Sequence, residues 1–120
     1  MLGLTGPSFP VDTACSATLA ALHCAVSATS LGECKKASVC GLGILEALGS
    51  LGTAAAGMTS PRGRCHTFDS RADGFTRAEG AGAFILESRD TEIDKMCTVL
   101  GSTVQQDGPS ASLTAPNESS

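Results

Sequence analysis

The chain has 120 residues, room for one small domain, since a single hydrophobic core commonly organises about 100–150 residues. Its 42% apolar and 17% charged residues exclude the low-hydrophobicity, high-charge composition of a disordered chain. A net charge of −4 with only eight Lys and Arg, scattered along the chain, leaves no basic stripe to neutralise phosphates and argues against a nucleic-acid partner.

In chain order, Pro7 to Thr13 carries Phe9 and Val11 between Gly-Pro and Asp-Thr, which predicts a short strand. Ala17 to Ser30 follows with Leu19, Leu22 and Val26 at helical offsets, and Gly32 stands where a left-handed residue would end that helix. Ala37 to Leu42 reads as a second strand. Gly43 to Met58 reads as a weak helix interrupted by Gly49, Gly52 and Gly57, each costing about 1 kcal/mol against Ala in a helix interior. TSPRGR, Thr59 to Arg64, is a loop, and Ala83 to Glu87 is a third strand. Ser88 to Lys95 predicts a short exposed helix and Cys97 to Val104 a fourth strand, before a polar, turn-rich tail from Gln105. Strands alternating with helices or loops indicate an α/β class.

Cysteines at 15, 24, 34, 40, 65 and 97 form neither a CxxC pair nor a regular framework, and the two histidines stand beside no cysteine pair. No metal ligand is assigned, and reduced thiols in an intracellular, cytoplasmic setting are expected. No Lys or Arg precedes the first apolar run, which argues against a signal peptide. The apolar run from Ala14 to Ala28 falls short of the about 20 residues that span a bilayer, so no membrane partner is expected.

The stretch VDTACSATLAALH carries the chemistry. A cysteine attacks as its thiolate, and a helix N-terminus favours an anion through its unpaired N–H groups and dipole. With a helix starting just after Cys15, the same groups could hold an oxyanion, and the small neighbours Ala14, Ser16 and Ala17 would let the backbone turn sharply. An inert cysteine acting as a small hydrophobe is the other reading open at this point.

GPSFPVDTACSATLAALHCA resembles the active-site segment of β-ketoacyl synthases, the ketosynthase domains of polyketide and fatty-acid synthases, whose DTACSSSL-type motif holds an acyl-accepting cysteine. GRCHTFDSRADGFTRAEGAGAFILE resembles the family's GRCxxFDxxxDG(F/Y)xRxEGAGxxxL segment, and VQQDGPSASLTAPN its NQDGxSxGLTAPN loop. These segments follow in the family's order, and the resemblance runs from Gly6 to Asn117, weakest over Gly43 to Met58.

The resemblance implies a partial thiolase-like α/β fold, residues 1–120 being the middle of a ketosynthase domain whose N- and C-terminal parts lie outside the chain. It implies that Cys15 accepts an acyl group from an acyl-carrier-protein or CoA thioester, and that a malonyl-type extender then decarboxylates and attacks it, giving a β-ketoacyl thioester. It implies no cofactor of the chain's own, because phosphopantetheine is carried by the acyl-carrier partner, and a homodimer for the intact domain. Asp107 and Thr114 match positions near the acyl and pantetheine channel and are the candidate substrate-binding residues; as plain residues they would be turn formers. Glu79 is expected to be a structural carboxylate tying loops together, and Gly80 and Gly82 to permit close backbone packing.

The family's catalytic histidines, in HGT- and NIGH-type motifs, lie downstream of the LTAPN loop. Neither His23 nor His66 matches them: His23 is eight residues past Cys15, about 12 Å along a helix, and reads as a core or interface histidine, His66 as a loop residue. Gln105 and Ala78 replace the usual Asn and Gly. The chain by itself is therefore expected to lack condensing activity. The alternative is a degenerate, non-catalytic ketosynthase remnant serving as an interaction or scaffold protein; an unrelated hydrolase using Cys15 lacks a Cys–His pair at reach.

Overall fold

An alanine- and leucine-rich stretch with no proline favours a helix, and the computed structural model, which describes residues 3–88, 97–112 and 117, forms one over Ala17–Ser30, here α1. It is preceded directly by a 3-10 turn, Ala14–Ser16. Strand β1 is Lys36–Gly43, helix α2 is Ala47–Ala55 and strand β2 is Gly80–Glu87. Contacts divide the chain into two units: Met1–Gly41 with Gly82–Gln106, and Leu42–Ala81 with Asp107–Ser120.

Both helices end in the same way. At α1, Glu33 N–H donates to Ala28 O (3.0 Å) and Gly32 N–H to Thr29 O (3.2 Å). At α2, Met58 N–H donates to Thr53 O (3.0 Å) and Gly57 N–H to Ala54 O (2.9 Å). This pairing satisfies carbonyls that have no helical partner and requires a left-handed residue; Gly32 and Gly57 supply it at φ 76° and 68°. Gly57 is therefore a stop signal outside α2, and only Gly49 and Gly52 weaken the helix interior.

β1 and β2 form a two-stranded sheet. Ser88 N–H donates to Lys35 O (3.1 Å) and Lys36 Nζ meets Glu87 Oε1 at 3.3 Å, while at the other end Gly43 faces Ala78 O and Gly80 O. The strands therefore run antiparallel. Val39, 3% exposed, is the one buried apolar side chain among the described residues.

Two of the four expected strands do not form. Pro7–Thr13 and Cys97–Val104 are irregular: apolar content makes a strand only where a ladder partner exists, neither segment lies in a sheet among the described residues, and Pro7 and Pro10 offer no N–H. Instead Phe9 and Val11 line a small apolar cleft with Ala21, Cys24, Ala25 and Ala28 of α1. Those four helix positions follow the spacing of one helix face, and their small side chains let the chain approach, whereas Leu19 is exposed. The helix expected over Ser88 to Lys95 lies, beyond Ser88, outside the described residues.

In the second unit the chain between α2 and β2 is held by backbone and carboxylate contacts. Thr59 and Phe75 form a parallel bridge, with Ser60 N–H donating to Phe75 O and Phe75 N–H to Met58 O, both at 3.0 Å. Buried Ser60 donates its hydroxyl to Asp73 Oδ1 at 2.6 Å, and Asp73 Oδ2 meets Arg62 Nε at 3.1 Å. Gly74 between them has φ 131°, and a Cβ there would lie 2.6 Å from Ser60 N and from Thr59 C. Arg71 grips Asp69 bidentately, Nε to Oδ1 at 3.0 Å and Nη2 to Oδ2 at 2.7 Å.

Gly74→Ala is expected to destabilise the chain by about 1–3 kcal/mol, the range for a side chain forced into a sparsely populated backbone region. Urea unfolding measures it, with Gly80→Ala as the control because a Cβ there meets nothing within 4 Å; equal midpoints for the two variants would refute this account of Gly74. The Arg71 guanidinium, through its side-chain bonds and then its backbone N–H, holds the Asp69 carboxyl below the ordinary aspartate value. A lowered folded-state value means that the stabilisation is present above the ordinary range and is lost as pH falls through the lowered value. NMR titration of Asp69 is expected to show this depression, shrinking in Arg71→Gln and in high salt, because the pair is exposed to solvent.

Candidate active site

Cys15 sits at the middle of the 3-10 turn that leads without a break into α1, and its side chain is exposed. The residue before it, Ala14, has φ 55°, a left-handed conformation that costs a residue with a Cβ about 1–2 kcal/mol. Local bonds hold this elbow. Ala14 N–H donates to Asp12 Oδ1 at 3.0 Å, an Asp side chain standing in for a backbone turn. Ser16 N–H reaches Thr13 O at 3.3 Å, and the Ser16 hydroxyl donates to Thr13 O at 2.8 Å and lies 2.9 Å from Thr13 Oγ1.

Because the Ser16 hydroxyl turns back to Thr13, no side chain caps the first turn of α1. The two N–H groups that follow Cys15 are engaged within the turn, Ser16 N–H with Thr13 O and Ala17 N–H with Ala14 O, so what favours an anion beside the thiol is the positive end of the α1 dipole. The bracing roles of Asp12 and Thr13 went unassigned from sequence. Their signal was present: Asp-Thr ahead of a helix start is turn and capping chemistry, here directed to the turn before the helix.

The polar residues of the GRC to EGAG segment anchor backbone. Thr76 N–H donates to Cys65 Sγ at 3.1 Å, Arg77 Nη1 donates to Gly49 O of α2 at 3.0 Å, and Leu45 N–H donates to Glu79 Oε1 at 2.9 Å. Glu79 therefore is the loop-tying carboxylate that the sequence suggested. The expectation for Gly80 and Gly82 fails, since a Cβ at either would meet no atom within 4 Å among the described residues.

Cys15 belongs to the first unit and Asp107 to the second. Asp107 lies in irregular chain, where its backbone oxygen accepts from the Asn117 side-chain amide. Thr114 lies outside the described residues. His23, on the second turn of α1 and half-buried, has Nδ1 2.8 Å from Ser102 Oγ; His66 is in the loop, its carbonyl accepting from Asp69 N–H at 3.0 Å. All six cysteines are free thiols, and among the described residues no cluster could hold a metal ion and no helix is long and apolar enough to cross a membrane.

Comparison with known proteins agrees with this geometry. Residues 1–92 match the family model for the β-ketoacyl synthase N-terminal domain. The chain is 44% identical over 123 aligned positions to a phenolphthiocerol/phthiocerol polyketide synthase polypeptide of Mycobacterium tuberculosis, covering 98% of this chain and 8% of that protein. Against a highly reducing polyketide synthase of Neurospora crassa it is 38% identical, covering 98% of this chain and 5% of that one. In three dimensions it is similar to the ketosynthase from module 6 of the Bacillus subtilis bacillaene synthase, with a TM-score of 0.69 and 41% identity over 72% of this chain and 16% of that one. The oxazolomycin ketosynthase domain of Streptomyces albus gives 0.66 and 41% over 70% and 15%. The chain thus spans less than a tenth of these synthases and about a sixth of the solved ketosynthases. The α/β class and the partial thiolase-like fold are those of the ketosynthases it overlays, and the chain belongs to the β-ketoacyl synthase family.

Proposed function

We propose that residues 1–120 are the cysteine-bearing middle of a ketosynthase domain and that Cys15 is its acyl acceptor. The observation that carries this reading is the left-handed elbow at Ala14, which presents an exposed thiol beside the uncapped first turn of α1. The thiolate attacks an acyl thioester on an acyl carrier protein or on CoA, and the carrier thiol leaves. A malonyl-type thioester then loses CO2, its C2 carbanion attacks the acyl-cysteine carbonyl, and the Cys15 thiolate departs from the β-ketoacyl thioester. The positive end of the α1 dipole favours the oxyanion formed in both steps.

The intact domain works in this reading as a homodimer in the cell interior, and Asp107 and Thr114 line the route of the pantetheine arm. Exposed apolar side chains on both helices, Leu19, Leu48 and Leu51 among them, fit the inner surface of a larger domain, since a soluble chain rarely leaves such faces uncovered. The chemistry needs general acid–base groups that neither His23 nor His66 supplies, so acyl transfer and condensation separate in this chain.

Incubation of the chain with an acyl N-acetylcysteamine thioester, followed by peptide mapping, is expected to show acylation concentrated on Cys15 and abolished in Cys15→Ala. Addition of malonyl-CoA is expected to yield no β-ketoacyl product. Equal labelling of all six cysteines would sink the acyl-acceptor reading and favour the scaffold alternative. Turnover dependent on Cys15 would sink the separation of the two steps.

A further inference from the structure

The geometry points to His23 and Ser102 as a positioning pair that sets the orientation of α1, and with it the Cys15 elbow, against the returning chain of the same unit. It rests on the reading of Cys15 as acyl acceptor. His23 Nδ1 and Ser102 Oγ are 2.8 Å apart, 79 positions apart in sequence, and both belong to the unit that contains α1. The hydroxyl donates when the imidazole carries its proton on Nε2.

Two features show why this bond acts on the elbow. The first is that α1 continues the turn holding Cys15, so a rotation of the helix about its axis displaces the thiol. The second is that the first turn of α1 is located by close packing, because a Cβ at Gly41 of β1 would lie 2.5 Å from Thr18 Oγ1. That close approach and the small apolar residues along the cleft face are non-directional and leave the helix free to rock about its axis. The His23–Ser102 bond adds a directional second point more than a turn further on, and it holds an irregular segment, Cys97–Gln106, that has no sheet to anchor it. His23 touches no reacting atom: about 12 Å of helix separates it from Cys15. Its effect is on geometry, where a displacement of about 1 Å can cost about 100-fold in rate.

The test compares the chain with His23→Ala, Ser102→Ala, the double variant and Ser102→Thr, by hydrogen–deuterium exchange and by the rate of Cys15 acylation with hexanoyl N-acetylcysteamine thioester. Exchange in β1 serves as the check that each variant folds. Each Ala variant is expected to speed exchange over residues 97–106 several-fold and to slow acylation several-fold at unchanged half-saturating thioester, with the double variant no worse than either single one. Ser102→Thr, which keeps the hydroxyl, is expected to restore both. Unchanged exchange, independent effects that multiply in the double variant, or altered exchange with unaltered acylation would each overturn the proposal. Absence of Cys15 acylation in the unmodified chain would overturn instead the reading on which it rests.

Discussion

Antiparallel pairing of β1 with β2 is the constraint on which the other elements depend. It closes the chain from Ile44 to Glu79 into a loop and brings Lys35 opposite Ser88. A loop of that length has an entropic cost that rises only slowly with each added residue, so what determines its order is the set of bonds inside it. Those bonds are polar: Asp73 on Ser60 and Arg62, Arg77 on Gly49, Glu79 on Leu45. Between them they fix the α2 region with very little buried hydrocarbon, Val39 being the one buried apolar side chain among the described residues.

The family's motifs divide their labour accordingly. In VDTACSATLAALH the side chains of Asp12, Thr13 and Ser16 hold a strained elbow and leave one thiol exposed at the start of α1. In the GRC to EGAG segment Asp69 and Arg71 pair with each other, Asp73 holds Ser60 and Arg62, and Arg77 and Glu79 hold main-chain groups. A carboxylate that accepts a backbone N–H, as Glu79 does, is serving that bond. Strain at a functional site must be offset by its surroundings, and at Ala14 the offset is the Asp12 turn and the start of α1.

The small side chains of α1 follow the same logic. Ala21, Cys24, Ala25 and Ala28 line one side of a shallow cleft that Phe9 and Val11 also line, while Thr18 approaches the bare backbone of Gly41. Close approach substitutes for bulk: the helix that continues the Cys15 turn is located by backbone proximity and a few directed bonds. Leu19, by contrast, is exposed.

Sequence by itself determined the helices, β1, β2, the glycine stop after α1 and the family, because these rest on local propensity, capping chemistry and residue patterns only a few positions long. It also marked Cys15 as the candidate acyl acceptor and, through the family resemblance, Glu79 as a structural carboxylate, the part its bond to Leu45 N–H shows. It overestimated the strands at Pro7–Thr13 and Cys97–Val104, because apolar content carries no information about whether a ladder partner exists. It placed Gly57 inside a helix that the tertiary structure ends there, and it read close packing into Gly80 and Gly82 where the structure has open space. Only the tertiary structure decided that Asp73 secures Ser60, that Gly74 lies against the backbone at residues 58–60, and that His23 meets Ser102. Each of these joins residues far apart in the chain, and such pairs are selected by distance and hydrogen-bond geometry, which no local pattern encodes.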